Sequence, residues 1–103
     1  METKILTKED LNDKNEYNSD SFEFTGNLYI PKELGTVTFR GFVQVTGYIK
    51  AGMGIEAGYG ITAGLGITAG KGIKAGWGII AGTGITAERI EGKVYSGVVK
   101  LRK

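Results

Sequence analysis

The sequence contains no cysteine and no histidine. These two absences exclude disulfides, zinc sites built on Cys or His, cysteine nucleophiles and histidine general bases. Proline occurs once, which excludes proline-rich low-complexity chains. No apolar run approaches the ~18 residues of a membrane span, and the N-terminal residues are too acidic and polar for a secretory signal. We therefore expect a soluble, cytoplasmic protein that is not an enzyme, with no catalytic residues, no metal site and no cofactor.

Glycine is the residue in excess, at 18 of 103, and its spacing defines a six-residue repeat that starts at Ile49. The seven units read IKAGMG IEAGYG ITAGLG ITAGKG IKAGWG IIAGTG ITAERI. Two glycines per unit would cost a helix roughly 2 kcal/mol per unit. Ile and Ala, two residues apart, instead fall on one face of a short strand. The repeat predicts an all-β fold, a parallel β-solenoid (β-helix), with Ile and Ala inside and glycines turning the chain through backbone angles that other residues adopt at a cost.

These units resemble the hexapeptide-repeat β-helix family, in which three units form one triangular coil. The resemblance covers residues 49–90, or 37–90 with two degenerate earlier units. In the family's best-known pattern a small residue precedes the aliphatic one by two, whereas here Ala follows Ile, so a flatter, two-sided coil made of two units is the alternative. The family's acyltransferases use a catalytic histidine that this chain lacks, and their activity is not carried over. The IKAG, IEAG and ITAG units also resemble uncharacterised glycine-rich repeat proteins of bacteria and their phages.

A solenoid needs a cap at each open end, because its last strands leave backbone groups and core side chains uncovered. We expect an acidic N-terminal capping segment over residues 1–36, solenoid repeats over 37–90 and a basic C-terminal strand or cap over 91–103. Residues 1–24 carry three lysines and seven carboxylates, a net charge of −4, whereas residues 25–103 carry +6. Within the cap, residues 7–17 predict a short helix that begins at a capping box, and residues 22–30 predict strands around a glycine. Residues 93–101 predict a last apolar strand.

The outward positions suggest a binding surface. With three units per coil, Tyr59 stacks under Trp77, and Leu65 under Thr83 on a second, mixed apolar face. A third, basic face stacks Met53, Lys71 and Arg89. With two units per coil, Tyr59 would instead meet Lys71, and Leu65 would meet Trp77. The aromatic residues are either exposed for a partner or covered by the N-terminal segment.

We therefore hypothesise a non-enzymatic protein that presents a rigid surface to a macromolecular partner, most readily another protein. The partner-binding residues would be Tyr59, Trp77 and Leu65 with a basic rim of Lys71, Lys74 and Arg89. One version is a phage or mobile-element inhibitor of a host protein, with an anti-defence role. The alternatives are a self-assembling structural protein that forms homo-oligomers or filaments through its solenoid ends, and, more weakly, a binder of single-stranded nucleic acid or glycan. No membrane partner is expected.

Overall fold

The computed structural model describes residues 2–101 and shows a parallel β-solenoid of about four turns. Two 3-10 turns, Lys8–Asp10 and Lys32–Leu34, are its helical elements within those residues. The strands are β1 (Thr3–Ile5), β2 (Phe22–Phe24), β3 (Asn27–Ile30), β4 (Val37–Phe39), β5 (Val43–Val45), β6 (Ile49–Ala51), β7 (Ile55–Ala57), β8 (Ile61–Ala63), β9 (Ile67–Ala69), β10 (Gly72–Ala87) and β11 (Arg89–Leu101). Neither 3-10 turn has the length or hydrophobicity of a membrane-spanning helix.

The strands stack in three columns, which form the three sides of a triangular coil. Side A contains β2, β5, β8 and residues 79–81 of β10; side B contains β4, β7 and residues 73–75 of β10. Side C contains β1, β3, β6, β9 and the last residues of β10, and β11 runs along β10 on all three sides. Ile73 pairs with Ile55 and Ile79 with Ile61, so one coil takes three repeat units. The alternative with two units per coil is wrong.

The core is a set of aliphatic ladders that run along the solenoid axis. All seven isoleucines that open the repeat units are buried, with Ile67 at 0% exposure in the middle of side C, and the seven alanines beside them are buried as well. Burial of each such isoleucine contributes roughly 1.5–3 kcal/mol. Val37, Phe39, Val43 and Val45 are also buried and share this register, so the two degenerate units belong to the solenoid.

The repeat glycines are required by close packing rather than by backbone angle, which corrects the expectation from the sequence. Positive φ angles occur, among residues 2–101, at Asn15 and at Gly26, Gly35, Gly92 and Gly97, all outside the regular units. A Cβ at Gly76, the fourth position of its unit, would collide with the carbonyl oxygen of Gly58 one coil below. The corners of successive coils therefore stack backbone on backbone, and a side chain on the fourth residue would force them apart.

The N-terminal segment closes one end of the solenoid, but not with the helix predicted over residues 7–17. The helical part is a single 3-10 turn at Lys8–Asp10, where the Thr7 N–H donates to Asp10 Oδ2 at 2.8 Å, as the capping box predicts. The following residues form a tight turn instead, with an antiparallel bridge between Leu11 and Tyr17. The strands predicted within residues 22–30 are confirmed as β2 and β3.

The last strand, β11, includes the whole of the strand predicted over residues 93–101 and forms a shortened final coil. Its register with β10 shifts at the corners, from Gly72↔Arg89 to Gly78↔Lys93 and then to Gly84↔Val98, and once within side A, where Ile79↔Val94 is followed by Ile80↔Ser96. The final coil is shorter overall because its corners contain fewer residues than those of the regular units, although Tyr95 is an extra residue on side A. Residues 102 and 103 of the predicted C-terminal cap lie outside the described residues.

Candidate binding surface

Side A carries an uncharged surface over several successive coils. We call this surface the neutral face: it comprises residues 41–48, 59–66, 77–84 and 94–98, none of which is charged. Its middle is formed by the outward residues of the stacked strands, Gln44, Thr62, Ile80 and Ser96. Charge returns at its margins, with Asp20, Glu23 and Arg40 in the lower coils and Lys93 at the top. Lys93 Nζ lies 5.0 Å from the centre of the Tyr95 ring.

One edge of the neutral face is an aromatic ladder at the corner between sides A and B. The Tyr59 and Trp77 rings stack with centroids 4.7 Å apart and an interplanar angle of 20°. The Trp77 N–H donates to the Tyr59 carbonyl oxygen at 3.0 Å, so the backbone ladder fixes the stack. Tyr59 is 50% exposed and Trp77 is 69% exposed. The hypothesis that the N-terminal segment covers them is therefore wrong.

The ladder has further aromatic residues above and below this pair. Phe42 lies at the same corner in the coil below and lines a shallow hollow with Tyr59. Tyr95 lies above, and a Cβ at Gly78 would collide with its ring. The glycine at position 78 thus leaves the space that the Tyr95 ring occupies. The aromatic edge extends from coil to coil as far as β11.

The opposite edge, at the corner between sides A and C, is aliphatic and lightly polar. Leu65 lies between the Gly47 rung and Thr83: the Leu65 N–H donates to the Gly47 carbonyl and the Thr83 N–H donates to the Leu65 carbonyl. Tyr48 and Val98 are exposed at the same corner. Leu65 follows Tyr59 by six residues, so a full side of the triangle, at most about 20 Å of chain, separates the two predicted anchors. Both border the neutral face from opposite edges.

The predicted basic rim lies away from this face. Lys71 stacks between Met53 and Arg89 at the corner between sides B and C, with the Lys71 N–H bonded to the Met53 carbonyl at 2.7 Å and the Arg89 N–H to the Lys71 carbonyl at 3.1 Å. Lys74 is in the middle of side B and is paired in register with Glu56 below and Glu91 above. Side B thus alternates in charge. The structure brings Tyr59 and Trp77 together at the corner between sides A and B. It places Lys71 and Arg89 at the opposite edge of side B, at the corner with side C.

Five exposed apolar residues of the neutral face were not among the predicted binding residues: Phe42, Tyr48, Ile80, Tyr95 and Val98. The first two occupy outward positions in the degenerate units, so the register of residues 37–48 would have identified them. The repeat places Ile80 correctly above Thr62 on an outward, mixed apolar face, but Ile80 was not included among the predicted partner-binding residues. Tyr95 could not have been found, because it follows a register shift that the six-residue period does not predict.

No family model, no curated protein and no solved structure matches the chain. The resemblance to hexapeptide-repeat proteins and to repeat proteins of bacteria and phages stays a hypothesis. The candidate surface therefore rests on its own geometry.

Proposed function

We propose that the protein acts without catalysis, as a rigid scaffold whose neutral face binds another protein. The observation that carries this proposal is the stacked Tyr59–Trp77 pair, which stays exposed at the edge of an uncharged face. Cores of protein interfaces are depleted of charge and rich in aromatic residues, and a few such residues supply most of the affinity. The neutral face has this composition.

The scaffold suits binding because it is already ordered. Each regular strand is hydrogen-bonded to parallel neighbours below and above, and its Ile and Ala side chains are buried. Little conformational entropy is therefore lost when a partner docks. An interface of standard size takes about 800 Å² from each partner, which is about a seventh of the accessible surface of 5816 Å². One side of the triangle and its two corners offer an area of this order.

The chemistry of the face favours an uncharged, apolar protein surface over the other ligand classes. A nucleic acid would require cations for its phosphates, and the basic residues Lys71 and Arg89 lie at a corner remote from the aromatic ladder. A glycan would stack on ring faces, and the contact between Tyr59 and Trp77 leaves at most one face of each ring for it. That the partner is a host protein which this chain inhibits, in the cytoplasm, remains a prediction.

The experiment is a comparison of binding by three forms of the chain. Immobilised wild-type protein, the double variant Tyr59→Ser/Trp77→Ser and the control Lys50→Ser/Thr68→Ser are incubated with bacterial lysate, and retained proteins are identified by mass spectrometry. Lys50 and Thr68 are an outward pair in adjacent rungs of side C, so the control is matched in position and number of substitutions. Circular dichroism checks that all three forms fold.

We expect a partner that wild type and control retain, and that the double variant binds at least about a hundredfold more weakly. Trp77 is the only tryptophan, so addition of the purified partner to wild type should reduce quenching of its fluorescence by iodide. Equal binding by wild type and the aromatic double variant would contradict the proposal, as would unchanged quenching in the complex.

Self-association is a second candidate function. The observation that favours it is the outer edge of β11, which pairs with no other strand among residues 2–101.

A further inference from the structure

The C-terminal end of the solenoid leaves core positions uncovered. In β11, Ile90, Val94 and Val99 continue the inward ladders of Ile73, Ile79 and Ile85, and Leu101 continues that of Ala87. Ile90 and Val94 are half-buried, whereas Val99 is 43% exposed and Leu101 is 63% exposed. Within residues 2–101 nothing lies over these side chains, and the backbone groups on the outer edge of β11 have no strand partner. Such an edge is a template for another strand.

At the other end of the solenoid the core is covered, although β1 and β2 are edge strands of the sheet, and this cover limits how two copies can meet. Leu6 and Phe22 are buried there, and Leu11, Tyr17 and Phe24 pack against the same core. Head-to-tail stacking would require β11 of one copy to displace this cap from the next. The C-terminal ends of two copies can meet without displacing any segment. Because such a contact uses the same surface on both copies, it is isologous and produces a dimer and no larger assembly.

The charges at the middle of each side favour one orientation for such a pair. In the last coil the outward mid-side residues are Glu91 on side B, Ser96 on side A and Lys100 on side C, while Arg89 and Lys93 lie at corners. A two-fold axis that crosses the middle of side A sets side A against itself and side B against side C of the other copy. Glu91 then opposes Lys100 twice. An axis through side B would oppose two Glu91 carboxylates, and an axis through side C would oppose two Lys100 ammonium groups.

We infer that the chain forms a closed dimer through its C-terminal ends, with the two β11 strands antiparallel about a two-fold axis through side A. The inward residues Val94, Val99 and Leu101 of both copies then cover one another, and the backbone groups of the β11 edges bond across the axis. The neutral faces of the two copies become continuous, with the aromatic edge of one above the Leu65 edge of the other. The dimer does not depend on the proposed partner, and its failure would leave the proposed function intact.

The test is a charge exchange followed by sedimentation equilibrium of the full chain over a range of concentrations. Glu91→Lys and Lys100→Glu are measured singly and together. The matched control is Glu56→Lys, because Glu56 and Glu91 flank the same Lys74 in adjacent rungs, and both changes place a lysine beside it. Only the change at position 91 lies at the C-terminal end. Circular dichroism checks that each variant folds, and Lys100→Glu, whose in-chain neighbour is Thr86, provides a second variant without the repulsion from Lys74.

We expect a monomer–dimer equilibrium with no larger species. Each single exchange at position 91 or 100 should raise the dimer dissociation constant about tenfold, since two attractive pairs become repulsive. The double exchange should return it to within about threefold of wild type, and Glu56→Lys should leave it unchanged. A chain that stays monomeric, one that forms open-ended polymers, or single and double exchanges with equal effects would each overturn the inference.

Discussion

The two ends of this solenoid are built from different interactions. Within residues 2–101, every side-chain hydrogen bond involves residues no further along the chain than Tyr48, and both ion pairs lie in the same part. Four rings also cluster there, with Phe22 against Tyr17 edge-to-face at 5.5 Å and Phe24 and Phe39 nearby. The N-terminal end is therefore closed by specific side-chain contacts.

The C-terminal end depends on the backbone ladder and on aliphatic stacking. β11 is hydrogen-bonded to β10 along its length, yet Val98 is 72% exposed and Leu101 is 63% exposed. The comparison teaches that a solenoid can terminate in two ways. At the N-terminal end a segment of the same chain covers the core, whereas at the C-terminal end β11 leaves a surface that a second molecule can cover. Local opening should consequently start at β11, where few apolar contacts are buried.

The largest expected effect is unfolding of the whole solenoid, so that the two ends no longer differ. Ile67→Asp places a carboxylate in the ladder between Ile49 and Ile85, at a position of 0% exposure. Because an unpaired buried charge costs several kcal/mol, we expect both ends to unfold together. Circular dichroism should show loss of the strand signal, and a soluble variant with an unchanged melting temperature would contradict the fold.

The same substitution at the two ends should give very different results. Leu6→Ala removes a side chain that is 1% exposed in the N-terminal cap, and Leu101→Ala removes one that is 63% exposed on β11. We expect about 3 to 5 kcal/mol of destabilisation at Leu6 and less than about 0.5 kcal/mol at Leu101. Urea unfolding measures both, at concentrations where the chain is monomeric. Equal losses would mean that the two ends are closed equally well.

The regular repeat made much of this architecture predictable from sequence. Because equivalent positions of successive units point the same way, the pairs Tyr59–Trp77 and Leu65–Thr83 followed once three units per coil were assumed. The period alone did not decide between two and three units per coil, since both keep the isoleucines and alanines inside. The glycines could not decide it either: Gly76 stacks on Gly58 in the structure, but Gly64, on which it would stack with two units per coil, is also a glycine.

The two ends were less predictable, for opposite reasons. At the N-terminal end the residues between 12 and 16 favour turns over helix: Asn12 Oδ1 accepts hydrogen bonds from the Lys14 and Glu16 N–H groups, which replaces helical bonding. At the C-terminal end the repeat stops after Ala87, and β11 takes corners of irregular length around Gly92 and Gly97, both at φ 123°. The outward residues of β11 could not be assigned from the six-residue period, because the register of β11 with β10 shifts.

Two glycines, one near each end, differ in how closely the neighbouring chain approaches them. Gly26, beside the N-terminal strand, has φ 144°, and a Cβ there would collide with the Glu2 carbonyl oxygen. Gly84 lies beneath β11, and its Cβ would be 3.5 Å from the Val98 carbonyl oxygen, an ordinary contact. We expect Gly26→Ala to cost about 2 to 3 kcal/mol and Gly84→Ala less than about 1 kcal/mol. Thermal unfolding of the two variants checks this, and a larger loss at Gly84 would reverse the comparison.

The smallest loss expected at the N-terminal end isolates one contact of the cap. Asn15 adopts φ 63°, and its Nδ2 donates to the carbonyl oxygens of Leu34 at 2.8 Å and Thr36 at 2.7 Å. These two bonds join the N-terminal turn to the loop before β4. Asn15→Gly removes both bonds but tolerates the left-handed backbone, whereas Asn15→Ala removes the bonds and adds the conformational cost that a Cβ imposes there.

We therefore expect a loss of about 1 kcal/mol for Asn15→Gly and about 2 kcal/mol for Asn15→Ala. Both can be measured by urea unfolding, with amide hydrogen exchange used to locate the change. Faster exchange should appear at the Thr38 N–H, which donates to the Asn15 carbonyl oxygen at 3.2 Å, while the amides of β10 that face β11 keep their wild-type rates. If the Gly and Ala variants lost equal stability, the backbone angle would contribute nothing and the cap would depend on the side-chain bonds alone. If neither variant lost stability, the side-chain bonds of Asn15 would not stabilise the N-terminal end. The proposed difference between this end and the β11 end would then be disproved.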